Sequence, residues 1–163
     1  MSFPRKWESK NMVNPNFKIH AKESTIDRRG IFTESFIPEG TELFHYEGEL
    51  ITSDEALKRE NDKTREGIYT FWLNDEWAID GWERGNISKY LNHSCSPNCS
   101  YQISENMISI FAERDIFPNE ELTIDYDYDA EGELVSCLCG TEDCRGYINN
   151  VEFVIASEAK QSQ

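Results

Sequence analysis

Asn92-His93-Ser94-Cys95-Ser96-Pro97-Asn98-Cys99 is the stretch that decides how this chain is read. It is followed by Glu121-Leu122-Thr123-Ile124-Asp125-Tyr126, and then by Cys137, Cys139 and Cys144 in the spacing Cys-x-Cys-x4-Cys. The three strings fall in a fixed order within about a third of the sequence. Each alone carries a real risk of coincidence, so the weight lies in their order and combination.

The chain around them has 163 residues, which favours one domain. At that size roughly 70% of the unfolded surface is buried on folding, enough for a core. Hydrophobic residues make up 38% and aromatics 12%, a folded composition. No apolar run approaches the roughly 20 residues needed to cross a bilayer. Met1 to Glu8 is charged with no apolar stretch behind it, so no secretory signal is expected. A soluble intracellular protein, cytoplasmic or nuclear, is the expectation.

The formal net charge is −15. Direct binding to nucleic-acid phosphates asks for the opposite sign, so it is not expected. Between Glu113 and Glu133 nine carboxylates face one arginine, Arg114. Such a surface either simply solvates the protein or attracts basic peptides. The five cysteines, Cys95, Cys99, Cys137, Cys139 and Cys144, are odd in number and clustered, which argues for metal rather than disulfides.

The pattern of short alternating runs predicts a β-rich fold with little helix. Strands are expected near residues 17–20, 41–46, 68–73, 76–80, 100–103, 107–112 and 122–124. Thr52-Ser53-Asp54-Glu55 has capping-box form and should open the one clear helix, running to about Lys63. A short helix is expected over 86–91. Pro38-Glu39-Gly40 and Pro118-Asn119 read as turns.

Taken together, the strings resemble the SET-domain protein lysine methyltransferases that carry a zinc-binding post-SET tail. The likeness runs from about Lys18 to Ile148. It implies a mainly β fold of several small sheets with few short helices and a knot-like C-terminal segment. Residues 1–16 would be a lead-in, 17–128 the SET domain, 129–150 the post-SET segment and 151–163 a polar tail. Ile26-Asp27-Arg28-Arg29-Gly30-Ile31-Phe32 resembles the first cofactor motif, with Arg28 where a glycine usually stands. Tyr69-Thr70-Phe71 resembles the strand lining the lysine channel. Cys137-Leu138-Cys139-Gly140 with Cys144-Arg145-Gly146 resembles the post-SET motif.

The resemblance implies transfer of a methyl group from S-adenosylmethionine to a lysine nitrogen. Tyr126 would be the catalytic residue, orienting a neutral amine. Asn92 and His93 would clamp the cofactor, with Arg29, Gly30 and Tyr69 completing its site and Leu138 covering the adenine. Cys137, Cys139 and Cys144 supply three thiolates, and the resemblance points to Cys95 as the fourth zinc ligand. Cys99 is left as a small buried apolar residue. Ile124 stands where the family usually has Phe or Tyr. It has no hydroxyl to crowd the amine, so di- or trimethylation is expected unless Tyr101 or Tyr128 fills the space. The substrate would be a basic lysine-containing protein or peptide, histones among them, and a monomer is compatible with this reading.

Two other readings use the same residues. A non-catalytic, zinc-stabilised peptide-binding module would not need Tyr126, Asn92 and His93 together. A thiol enzyme would pair Cys95 with His93, for which adjacency in sequence is poor support. Asp125-x-Asp127-x-Asp129 opens like a calcium loop, but Ala130 and Ser136 stand where Gly and Glu are required, so these carboxylates are expected to form an acidic rim instead.

Overall fold

The computed structural model describes residues 13–129 and 133–150. Most of the expected lead-in, the expected polar tail 151–163 and Glu131 lie outside the described residues. Among the described residues ten strands, one α-helix and one 3-10 turn follow in the order β1 (Ile19–Glu23), β2 (Arg29–Thr33), β3 (Glu42–Tyr46), β4 (Glu49–Thr52), α1 (Ser53–Glu60), β5 (Thr70–Trp72), β6 (Trp77–Asp80), the 3-10 turn (Ile87–Tyr90), β7 (Asn92–His93), β8 (Cys99–Ser104), β9 (Met107–Ala112) and β10 (Glu121–Ile124).

They form three small sheets, ordered β1-β2-β10-β7, β3-β9-β8 and β4-β6-β5. All pairings are antiparallel except one. β7 lies parallel to β10, with Asn92 opposite Thr123 and His93 opposite Ile124. That single pairing sets the first two signature strings side by side. Ile31, Leu43, Phe44, Ile108, Ile110, Ile116, Leu122 and Ile124 fill the core between the sheets and are almost wholly excluded from water. Ile37 and Ile116 pair across it through an isolated bridge.

The local chemistry explains the boundaries. Thr52 caps α1 by accepting from the Glu55 amide at 3.4 Å. The Glu55 carboxylate does not return to the cap. It binds Arg59 at 2.8 Å, so the box is half made. The helix ends at Glu60 rather than Lys63 because Asn61 folds its side-chain amide back onto the Leu57 carbonyl at 2.7 Å. The first strand runs 19–23 rather than 17–20, and the strands 29–33, 49–52 and 92–93 were not expected, the last with only two residues. Two residues are too few to show any period. Gly40 turns at φ 76° after Pro38, the conformation that the expected turn requires.

Candidate active site

The ends of β2, β7 and β10 converge with the 3-10 turn on one cleft of about 410 Å³, a size that suits a small ligand. Asp27, Arg28, Arg29, Tyr69, Asn92 and Tyr126 line it, joined by Glu66, Ile68, Trp82, Lys89 and Tyr90. Of the expected cofactor residues, Arg29, Tyr69 and Asn92 face this cleft. Gly30 does not line it. Gly30 is buried against the Glu121 side chain, and a Cβ at that position would overlap the carboxylate. Leu138 is 69% exposed and does not line the cleft.

Asn92 is pinned from behind. Its amide nitrogen donates to the Glu121 carboxylate at 2.8 Å and to the carbonyls of Arg29 at 3.0 Å and Asp27 at 3.3 Å. Ser24 donates to the same carboxylate. The Asn92 amide oxygen has no partner among the described residues. It offers the cleft an acceptor rather than a donor. Arg29 lies 4.7 Å from the Tyr90 ring and has no carboxylate partner among the described residues. Its charge is therefore available to an anionic group. Tyr69 packs on Trp82 at 5.4 Å and edge-on to Tyr90 at 6.3 Å.

Tyr126 sits at the floor of the cleft. Its hydroxyl donates to the Leu91 carbonyl at 2.8 Å. Burial, with Tyr128, Asp27 and Tyr69 adding to it, pushes the phenol well above its ordinary range, so it stays neutral. Donating one proton leaves the oxygen lone pairs free to accept. Behind it runs an aromatic wall. Tyr46 meets Phe71 at 5.2 Å, Phe71 meets Tyr101 at 4.9 Å, and Tyr126 meets Tyr128 at 5.6 Å. The Tyr46 hydroxyl donates to the Tyr69 carbonyl at 2.7 Å, which ties this wall to the cleft.

His93 faces away from the cleft. Its Nδ1 accepts from the Tyr126 amide at 3.1 Å, which leaves the proton on Nε2. That Nε2 lies 3.4 Å from the Cys95 sulfur. Burial pushes the ring's pKa down, outweighing the opposing pull of Asp125. The imidazole is thus a neutral strut between the Tyr126 backbone and a thiol.

The sulfurs of Cys95, Cys137, Cys139 and Cys144 all lie within 4.8 Å of one another. Cys95 is 3.6 Å from Cys137 and 4.0 Å from Cys144. A zinc–sulfur bond of about 2.3 Å in a tetrahedron puts sulfurs about 3.8 Å apart, so the donor set fits zinc. Each sulfur also faces a hydrogen-bond partner. Arg145 N, Cys139 N and Gly146 N donate to Cys95, Cys137 and Cys144 at 3.4 Å each, and the Thr141 hydroxyl lies 3.2 Å from Cys139. Donors of this kind favour thiolates and orient them as ligands. Cys99 lies elsewhere, 1% exposed, and burial pushes its thiol up to about 12, as befits an inert core residue.

Two ties in this region carry no signal in the sequence strings. Arg145 grips Asp125 with two hydrogen bonds, at 2.6 and 3.0 Å. Asn149, 2% exposed, spans the tail by donating to the carbonyls of Asp129 and Glu133 and accepting from the Val135 amide. Arg145 takes Asp125 out of the expected acidic rim, while Asp127, which accepts from Asn150 at 2.9 Å, and Asp129 stay exposed. Burial opposes ionisation of Asp125, but Arg145 and the Asp127 amide outweigh it and hold its pKa below the usual range.

A second depression of about 550 Å³ lies beside α1, lined mostly by charged residues. Its core is self-paired. Asp80, 1% exposed, binds Arg59 and Arg65 at 2.8 Å each. Apart from Trp82 it shares no residue with the first cleft.

Residues 28–127 match the family described as SET domain. The chain belongs to the SET-domain family. It is 38% identical over 139 residues to the histone-lysine N-methyltransferase, H3 lysine-4 specific, of Schizosaccharomyces pombe, a match covering 81% of this chain and 15% of that protein. It is 39% identical over 132 residues to the histone-lysine N-methyltransferase trithorax of Drosophila melanogaster, covering 77% of this chain and 4% of that protein. The fold is similar to that in the crystal structure of KRYPTONITE in complex with mCHG DNA and SAH. The TM-score is 0.70 at 26% identity, over 81% of this chain and 29% of that chain. The chain thus spans only a small part of each of these SET proteins. Among its described residues, no helix is long and apolar enough to cross a membrane.

Proposed function

We propose that this SET domain is a protein-lysine N-methyltransferase that uses S-adenosylmethionine and holds one structural zinc through Cys95, Cys137, Cys139 and Cys144. The observation that carries this is the convergence of Arg29, Tyr69, Asn92 and Tyr126 on one cleft, with Tyr126 joined through His93 to the sulfur cluster. Residues 17–128 then form the SET body and 129–150 its zinc-bound tail.

When bound, S-adenosylmethionine supplies a methyl group activated by a positively charged sulfur. Arg29 would pair with its carboxylate, and the Asn92 amide oxygen would accept from its ammonium. Tyr69 and Tyr90 offer flat apolar surface for its ring system. The target lysine must lose a proton to solvent before it can attack. A channel walled by Phe71, Tyr101 and Tyr128 disfavours the charged ammonium and lowers that pKa. The neutral Tyr126 hydroxyl, fixed by Leu91, accepts an amine N–H and turns the nitrogen lone pair toward the methyl carbon. The rate gain is then mostly positional and electrostatic.

The net charge of −15 suits a basic partner, and the named relatives make histones the first substrate class to try. An intracellular, nuclear or cytoplasmic setting follows from that partner. Ile124, 2% exposed, brings no hydroxyl near the amine, so products beyond monomethyl are expected unless Tyr101 or Tyr128, which wall the channel, crowd the nitrogen. The test is transfer of labelled methyl groups to core histones, with Tyr126→Phe in parallel and mass spectrometry of the product. Lysine label that vanishes in the variant supports the reading. A folded protein that binds the donor but labels no histone or lysate protein would favour the non-catalytic module.

A further inference from the structure

The segment 61–68 follows α1, carries no strand or helix, and forms one rim of the cleft through Glu66 and Ile68. Its middle is held down at Arg65. Arg65 binds the buried Asp80 at 2.8 Å and lies 5.1 Å from the Trp82 ring. Its far end turns at Gly67, whose φ of 115° is open to glycine and strained for other residues.

Arg28 reaches this far end from the opposite rim, 38 positions away in sequence, and its Nη1 donates to the Glu66 carbonyl. The guanidinium is aimed by Asp27, which accepts from Nε at 3.2 Å and Nη2 at 3.0 Å. It lies 6.0 Å from the Tyr69 ring. A Cβ on Gly67 would collide with it, so the absent side chain there makes room for this arginine. The backbone of Arg28 has φ 31°, the left-handed region that a glycine enters freely and an arginine does not. An arginine is therefore held in a glycine-like conformation, with its side chain across the mouth of the cleft.

We propose that Arg28 is a positioning residue that straps the 61–68 segment over the cleft and slows departure of the bound methyl donor. The proposal rests on reading this cleft as the S-adenosylmethionine site. Escape of the ligand past this rim would require breaking the Arg28–Glu66 hydrogen bond, so the strap acts on dissociation first. It also resolves the departure from the usual glycine: the change adds a side-chain contact that glycine cannot make.

The test compares wild type with Arg28→Gly and Arg28→Lys. Glycine fits the backbone, so the first variant should fold, as a thermal melt will verify. Trp82 lines the cleft, so its fluorescence reports S-adenosylhomocysteine binding and stopped-flow displacement gives the release rate. Release should quicken roughly tenfold in Arg28→Gly and less in Arg28→Lys, with KM for the donor changing more than kcat. Hydrogen exchange at residues 66–68 of the donor-free protein should also quicken roughly tenfold in Arg28→Gly. Exchange that stays within about twofold of wild type shows there is no strap. Faster exchange with unchanged release overturns the retention role alone. A wild type that binds no S-adenosylhomocysteine overturns the methyl-donor reading and the retention role together, while the exchange data still report on the strap.

Discussion

The body around residues 19–124 and the tail over 133–150 are held together by different physics. The body has three hydrogen-bonded sheets over a core of side chains such as Ile31, Phe44 and Ile110. The tail has no strand of its own. It keeps two isolated bridges, Tyr128 with Asn149 and Ser136 with Tyr147, and leaves Leu134, Val135 and Leu138 at least 42% exposed. Apolar burial therefore cannot be what orders it. The four sulfurs, the Arg145–Asp125 pair and the buried Asn149 amide remain. A structural zinc site contributes about 10–16 kcal/mol in small zinc modules, enough to fold a segment that has no core. The body should stand without the tail, whereas the tail cannot stand without metal.

Methyl transfer provides the largest contrast. Tyr126→Phe should leave both regions folded and lower kcat on the order of 10²–10³-fold, since the proposed mechanism loses the one fixed polar group that it sets against the amine. Loss of the bond to Leu91 should cost the fold only about 1 kcal/mol. A melting point that collapses along with activity would place Tyr126 in the framework instead.

Next comes metal. Cys144→Ser, or chelation of the wild type, should open residues 133–150 to protease while the far-UV spectrum of the sheets persists. Activity should fall with the tail, because Cys95, the sulfur partner of His93, is no longer fixed by the tail cysteines, and His93 in turn receives the Tyr126 amide. A metal-free sample with a protected tail and full activity would erase the distinction between the two regions.

Arg145→Ala probes the seam between them. It removes two charge-assisted bonds and should weaken tail docking by about 2 kcal/mol, read as faster exchange in 133–150 with zinc retained. If exchange is unchanged, the Arg145–Asp125 pair does not hold the tail.

The smallest effect on catalysis should come from Asp80→Asn, deep in the body. Arg59 keeps Glu49 and Glu55, so the loss in stability should be about 1–2 kcal/mol. The same residue gives the body an acid limit. Burial alone would raise the Asp80 pKa, but Arg59, the Trp82 amide and Arg65 outweigh it and hold it below the usual carboxylate range. Its contribution is complete above the unfolded value of about 3.9 and disappears as pH falls through the depressed folded value. Circular dichroism from pH 7 downward should show wild-type stability falling below about pH 4, and less steeply in the variant.

The body was far more legible in the sequence than the tail's ties. β5 and β6 announce themselves through aromatic and β-branched residues across Asn74-Asp75, and the capping residue Thr52 marks α1. β7 was invisible, because a two-residue strand exists only by virtue of its partner β10. The four cysteines could be read from spacing and resemblance, since a metal needs a fixed donor count. Arg145, Asp125 and Asn149 could not. A single charge or amide looks the same in sequence whether it meets water or a partner 20 positions away. Gly30 carries a role that no motif announces: it makes room for Glu121, which in turn orients Asn92.

The place of β10 between β2 and β7 also matters while the chain is being made. Arg29 emerges from the ribosome with β2 and Asn92 with β7, but the strand that unites them arrives only at residues 121–124, with Tyr126 just behind. Until then β2 and β7 have no common neighbour in their sheet, and the cleft has no floor. A product cut short before β10 would therefore lack the candidate site altogether rather than carry a weakened one.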